Sequence, residues 1–251
     1  MSVPRAVVCL PTYNERENLE PMVRALADKD VDVLVIDDSS PDGTGEIADR
    51  LASELPWVEV LHRPRKEGLG RAYVDGFRHV LARGAELVLE MDCDFSHDPR
   101  AVPSLLAPAR AGADLVLGSR YCPGGRVENW GRARRLISTA GCLYARALLG
   151  VQVRDLTGGF KCFRRTVLET IDFDAIVAKG YGFQIETTYR ALRAGFKVAE
   201  IPITFVDRRV GESKMDGSIV VEAMRRVPLL RLQAARGRLP RGAGVAPSDG
   251  C

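Results

Sequence analysis

What the 251-residue chain lacks narrows its nature first. No window approaches the ~18–20 uninterrupted apolar residues of a membrane-spanning helix. The longest candidate, Ile219 to Leu232, is broken by Glu222, Arg225, Arg226, Pro228 and Arg231. The first residues, MSVPRAVVCLPTYNE, run straight into a strand pattern, without the apolar stretch of a signal peptide. The six cysteines, at 9, 93, 122, 142, 162 and 251, form no CxxC pair, and the three histidines stand apart. A zinc site is therefore not expected. Nothing resembles a disulfide framework either, which points to a reducing cytoplasm. There is no internal repeat. No stacking platform or recognition helix accompanies the basic residues, so nucleic acid is not an expected partner.

What is present is an ordinary globular composition, 46% hydrophobic and 27% charged, with charge unevenly placed. The net charge is only +3, yet Arg120 to Arg146 holds six Arg against one Glu. Glu222 to Arg241 repeats that balance, so the remainder is slightly acidic. Clustered Arg suits phosphates, whether of a substrate or of a membrane surface. Two amphipathic segments, Arg132 to Leu149 and Ile219 to Leu232, fit a lipid interface, and the first fits a core or subunit contact equally.

The first half alternates strand and helix patterns. Strands are expected at Ala6–Leu10, Val31–Ile36, Val58–Leu61 and Leu87–Met91. Helices are expected from about Glu15, with Asn14 and Glu17 as a capping box, from the DDSSPDGTG segment to Leu55, and after Gly70. This pattern predicts an α/β fold, a mixed, mostly parallel sheet flanked by helices. In such sheets ligands bind beyond the carboxyl ends of the strands. The polar segments PTYNE, DDSSPDG and DCD all fall there. The second half is mixed: a strand at Asp114–Gly118, helices at Arg132–Leu149 and about Phe183–Arg193, and a strand at Val198–Ile201. One domain over 1–233 is expected, nucleotide-binding to about 118 and acceptor-binding from 119, with a disordered tail over 234–251.

Asp92 and Asp94 are two apart at a strand end, so their side chains point the same way. Two carboxylates so placed can share Mg2+ or Mn2+ with the oxygens of a diphosphate. Asp37 and Asp38 close another strand, where an acid can meet a base edge or a ribose. Tyr13 can stack on a base. Arg120 follows a strand directly and can reach the crevice. Arg134 and Ser138, four apart on a helix, can form a phosphate clamp. Arg208 and Lys214 flank a Gly-containing loop. Each feature taken alone also has a plainer reading as turn, cap or solvated-face chemistry.

Together the motifs are more specific. PTYNE (11–15), IDDSSPDGT (36–44), GLGRAY (68–73), MDCDFSHDP (91–99), GSRY (118–121), DLTGGFKCF (155–163), GFQIE (182–186) and DRRVGESKM (207–215) occur in order. The chain resembles the dolichol-phosphate mannosyltransferase, or polyprenol monophosphomannose synthase, group of glycosyltransferase family 2, over about Ala6 to Val227. The resemblance implies a GT-A fold and transfer of mannose from GDP-mannose to a polyprenyl phosphate with inversion. It implies guanosine contacts at Pro11, Tyr13, Glu15, Ile36 and Asp38. Asp92, Cys93 and Asp94 match the diphosphate segment, with Asp94 the direct metal ligand and Asp92 and Asp94 the catalytic pair. Arg120, Arg208 and Lys214 match cations around the diphosphate, and Arg120, Arg134 and Ser138 match the acceptor-phosphate site. Some members place Gln as a further metal ligand where this chain has Ser96. The implied partners are GDP-mannose, a polyprenyl phosphate, the cytoplasmic face of a membrane and a membrane-anchoring protein. A same-family transferase using UDP-glucose or another sugar nucleotide, or a soluble acceptor, stays open. Asp155 is a candidate for orienting the sugar or an Arg.

Overall fold

The structure, a computed structural model, describes residues 6–176, 180–207, 217–237 and 239. Along the chain run β1 (Ala6–Thr12), α1 (Leu19–Leu26), β2 (Val31–Asp37), α2 (Thr44–Glu54), β3 (Val58–His62), α3 (Leu69–Ala82) and β4 (Leu87–Glu90). Their order is the alternation that the apolar runs predict. After a 3-10 turn at Pro99–Ala101 come α4 (Val102–Arg110), β5 (Leu115–Ser119), β6 (Arg126–Glu128), α5 (Arg132–Leu149), β7 (Lys161–Arg164) and α6 (Arg165–Thr170). The chain continues through α7 (Gly180–Arg193), β8 (Val198–Pro202), β9 (Thr204–Val206) and α8 (Gly217–Ala235).

Strands from both halves join one seven-stranded sheet, in the order β3-β2-β1-β4-β7-β5-β8. All neighbours run parallel except β7, which is antiparallel to both β4 and β5. That reversal matters for the site. The chain enters β7 from the same edge at which β4 and β5 end, so the loop before Lys161 lies beside both strand ends. A separate two-stranded ribbon, β6 with β9, stands over that edge.

Two apolar clusters cover the two faces of the sheet. One collects residues of α1, α2 and α4 against Val8, Leu10, Val33, Val35 and Leu89. The other collects α3, α5, α6, α7 and α8 against Cys9, Leu34, Ile36 and Val88. The alternate residues of β1 and β2 thus divide between two cores, as the period of a strand requires. Helix α3 lies so close to β2 that a Cβ on Gly76 would fall 2.3 Å from Ile36 Cδ1.

One expectation is corrected. The first helix begins at Leu19, with Asn18 at its cap position, and not near Glu15. Asn14 has a left-handed φ of 56° and makes no capping box. The PTYNE loop is instead tied to the segment after β2. Asn14 N donates to Ser40 Oγ at 3.1 Å, Glu15 N to Thr44 Oγ1 at 3.0 Å and Arg16 N to Asp42 Oδ2 at 3.3 Å. At the other end, Ala234 and Leu239 are buried among core residues.

Candidate functional site

The acidic side of the site grows from the end of β4. Cys93 points into the core and is 3% exposed, which leaves Asp92 and Asp94 on the opposite side of the segment. Asp92 Oδ1 accepts from the Tyr73 hydroxyl of α3 at 3.4 Å. Asp94 Oδ1 accepts from Ser96 N at 3.0 Å, across a turn in which Phe95 takes a left-handed φ of 61°. A non-glycine residue held there stores strain, and such strain concentrates at functional turns. Asp92, Asp94, Ser96 and His97 line one cavity of about 90 Å³.

His97 is a site residue that sequence reading missed. Its ring is buried, stacked on Phe160 at 4.9 Å between centroids, and meets Phe205 edge-on at 5.4 Å. Nδ1 accepts from Asp92 N at 3.1 Å. Burial drives its pKa down to about 4, although the charges of Asp94 and Asp155 oppose this. Because Nδ1 accepts the Asp92 N–H, that nitrogen carries no proton in this arrangement.

The basic side of the same cavity is set by β5 and α5. Arg120 follows β5 and lies in the cavity wall with Arg134. Asp155, in the loop before β7, grips Arg120 in a fork: Oδ2 accepts from Nε and Oδ1 from Nη2, each at 2.7 Å. Asp155 Oδ2 also takes Arg120 N at 2.9 Å, and Thr157 Oγ1 takes Nη2 at 2.8 Å. Burial opposes the Asp155 charge, but the Arg120 guanidinium outweighs it and holds the carboxyl below the usual carboxylate range. Of the two roles open to Asp155, the structure places it on an Arg. Arg134 stacks on Trp130 at 4.3 Å and pairs with both oxygens of Asp207, at 2.9 and 2.8 Å.

Ser138 does not stand with Arg134 in that cavity. It lines a neighbouring groove of about 60 Å³ between α5, α7 and α8, with Ile137, Gly141, Tyr144, Ile185, Met224 and Val227. Its hydroxyl accepts from Tyr121 Oη at 2.7 Å. Thr157 and Tyr181 line both spaces, so the polar cavity and the apolar groove share a wall. Outside the groove, Leu136 and Leu143 of α5 and Leu229 and Leu232 of α8 are exposed, and Ile137 and Met224 of its lining are exposed as well. Arg132, Arg135, Arg225 and Arg231 are exposed on the same helices.

The loops after β1 and β2 form the other flank. Lys66 Nζ sits 3.5 Å over the Tyr13 ring. Asp38 is held by Arg63, which also donates to Asp75 at 2.8 Å and Glu67 at 3.2 Å. Burial still pushes the Asp38 carboxyl up, against the pull of Arg63. Glu15 Oε2 accepts from Asn18 Nδ2 at 2.8 Å, and Pro11 pairs in register with Ile36. The Ile36 side chain is fully buried against α3, so only its backbone faces this loop region. Arg63 follows β3 directly and Lys66 lies in the loop just after it, so the placement logic that singled out Arg120 applies to Arg63 as well. Arg208 and Lys214 lie outside the described residues.

Among the described residues no group of three or more His, Cys, Asp or Glu is placed to hold a metal. Asp92 and Asp94 are two hard oxygen donors, and Ser96 adds a hydroxyl. That set fits Mg2+ or Mn2+ only as a half-built shell, to be completed by water and phosphate oxygens. No helix among the described residues is long and apolar enough to cross a membrane.

The chain is 51% identical over 222 residues to an undecaprenyl-phosphate mannosyltransferase of Micrococcus luteus, covering 88% of this chain and 91% of that one. It is 50% identical over 244 residues to a polyprenol monophosphomannose synthase of Mycolicibacterium smegmatis, covering 96% and 91%. Glucosyl-3-phosphoglycerate synthase of Mycobacterium tuberculosis, solved with Mn2+, UDP-glucose and phosphoglyceric acid, superposes with a TM-score of 0.64. That match is 23% identical, covers 89% of this chain and 80% of the other, and agrees with a GT-A fold. The glycosyl transferase family 2 pattern matches residues 7–172, and the chain, a glycosyltransferase, belongs to that family.

Proposed function

We propose that the protein transfers mannose from GDP-mannose to a polyprenyl phosphate at a membrane surface. One observation carries the reading: a cavity bearing two carboxylates and two guanidinium groups shares a wall with an apolar groove. A lipid phosphate needs both, a cationic seat for its head and an apolar path for its tail. The names of the two half-identical relatives support the same acceptor class.

In this reading the base and ribose lie against Pro11, Tyr13, Glu15, Ile36 and Asp38, with Arg63 fixing the Asp38 carboxylate. A divalent Mg2+ or Mn2+ held by Asp94, beside Asp92 and Ser96, would neutralise charge on the leaving diphosphate. Arg208 and Lys214 are assigned to that diphosphate as well. Arg120 and Arg134 seat the acceptor phosphate, and Asp155 keeps Arg120 aimed. Holding two anions together against their repulsion is the main task of these cations. The acceptor oxygen is already anionic at neutral pH, so it attacks the anomeric carbon without a general base and inverts it. The exposed leucines and arginines of α5 and α8 lie on the cytoplasmic leaflet, near an anchoring partner protein. Each Arg there adds on the order of 1 kcal/mol with anionic lipid.

The test is direct. Labelled GDP-mannose, Mg2+ or Mn2+, a polyprenyl phosphate and purified protein should move label into the organic phase, and GDP but not UDP should inhibit. No transfer to lipid, or inhibition by UDP instead, overturns the reading. Arg134→Ala should raise the acceptor KM at least about tenfold, the worth of one charge-assisted contact, with donor affinity nearly unchanged. Equal losses for both substrates would remove Arg134 from the acceptor site. Gly141→Leu probes the groove cleanly, because a Cβ there meets nothing within 4 Å. It also replaces a helix-interior glycine, so the fold should gain about 0.5–1 kcal/mol. Transfer to a long-chain polyprenyl phosphate should fall while GDP-mannose binding persists. Unchanged use of the long-chain acceptor would place the tail elsewhere.

A further inference from the structure

His97 is buried in the wall of the polar cavity and fixed on three sides. Phe160 covers one face, Phe205 abuts it, and the Asp92 amide donates to Nδ1. Because Nδ1 accepts an N–H, the single proton of the neutral ring is on Nε2. A doubly protonated ring would set Nδ1–H against the Asp92 N–H. Among the described residues Nε2 has no hydrogen-bond partner, although the ring is only 2% exposed. The cavity it lines also holds Asp92, Asp94, Arg120 and Arg134. An N–H donor that opens on a ligand cavity is available to the ligand.

Two kinds of ligand oxygen compete for it. Diphosphate and acceptor phosphate are anions, and the site has guanidinium groups for them. A neutral imidazole pinned as a single donor suits a neutral acceptor, which in a glycosyl donor means a sugar hydroxyl. We propose that His97 is a sugar-contacting residue whose Nε2–H donates to one hydroxyl of the hexose being transferred, between the acid pair and the arginines. The Asp92 amide fixes the tautomer, so the turn that presents the acid pair also orients the sugar.

The inference rests on the donor reading above, and the experiment separates the two. His97→Asn keeps an acceptor near the Nδ1 position and removes the Nε2 donor. It should bind GDP within about twofold of wild type, while kcat/KM for GDP-mannose falls about 10- to 100-fold, as for one buried polar group left unpaired. Among 2-, 3-, 4- and 6-deoxy GDP-mannose, one should lose a similar factor with wild type and lose little further with His97→Asn. His97→Gln reverses the design, keeping an N–H near Nε2 and losing the acceptor for Asp92. It should melt lower yet retain the deoxy-sugar discrimination, and it carries the test if the Asn variant does not fold. The proposal falls if His97→Asn matches wild type, if GDP and GDP-mannose weaken by the same factor, or if no deoxy donor is coupled to position 97. A wild-type protein that ignores GDP-mannose overturns the donor reading and takes this inference with it.

Discussion

Asp94→Ala is expected to lower mannosyl transfer by on the order of 10³-fold or more, the scale of losing one preorganised electrostatic stabiliser in a water-poor site. The side chain stands in the cavity wall with Asp92, Ser96 and His97. It is also 6% exposed, so its charge acts through little solvent. Among its structural contacts, Oδ1 accepts the backbone N–H of Ser96. Losing that bond costs about 1 kcal/mol, far less than the stability of a domain this size. Function and fold should therefore separate. Thermal melting should fall by a few degrees at most, as a loss of that size implies, while initial rates with saturating GDP-mannose collapse. Asp94→Asn sharpens the test, because it keeps an oxygen for the Ser96 amide and loses only the charge. It should be as inactive as the alanine variant and melt closer to wild type. Turnover near wild type by either variant with added Mn2+ would remove Asp94 from the metal site.

The acid pair was legible for a physical reason. Strand–helix alternation orients every parallel strand alike, so a polar motif at a strand's carboxyl end is at the ligand edge before any contact is known. Arg120 was legible by the same rule. What the rule misses is anything supplied by the antiparallel strand. The segment DLTGGFKCF gives a four-residue strand, too short for a periodic signal, and its reversal carries Asp155 and Thr157 to Arg120. Lys161, between Phe160 and Cys162, is fully buried and donates to Gln184 O, a placement that no local pattern contains. His97 was dismissed because three scattered histidines do not make a zinc site, which says nothing about a single neutral donor. Arg134 and Ser138 were placed one above the other by helical spacing, and they do lie on one helix. They face different spaces because the wall between polar cavity and groove is made by other elements, through Thr157 and Tyr181. The capping box at Asn14 failed for a related reason: three backbone donors of that loop are taken by Ser40, Thr44 and Asp42, a tertiary choice that no local pattern contains.

Asp155→Ala should destabilise the protein by about 3–5 kcal/mol, the range for removing one partner of a buried ion pair. Both side chains are at most 4% exposed, so solvent cannot take over from the lost carboxylate. Arg120 would lose a fork of two contacts and keep only Thr157 on Nη2. The backbone N–H of Arg120 would lose its acceptor as well, at the point where β5 delivers the chain to the cavity. Arg120 packs among Tyr121, Trp130 and Phe205, which offer ring faces but no carboxylate. Catalysis should suffer through aim and not through chemistry: the acceptor KM should rise more than the donor KM. Asp155→Asn, which retains an oxygen for the backbone N–H, should recover part of the stability and little of the acceptor affinity. Denaturant unfolding measures the first and the KM split the second. A variant as stable as wild type would show that Arg120 is held by its aromatic neighbours alone, and equal KM effects would place the arginine on the donor instead. The pH dependence follows the same pair. The Asp155 carboxyl is held below the usual range, so its contribution is complete above the ordinary carboxylate pKa of about 3.9 and is lost as pH falls through the lowered folded value. Acid unfolding of wild type should therefore be steeper below that point than acid unfolding of Asp155→Asn.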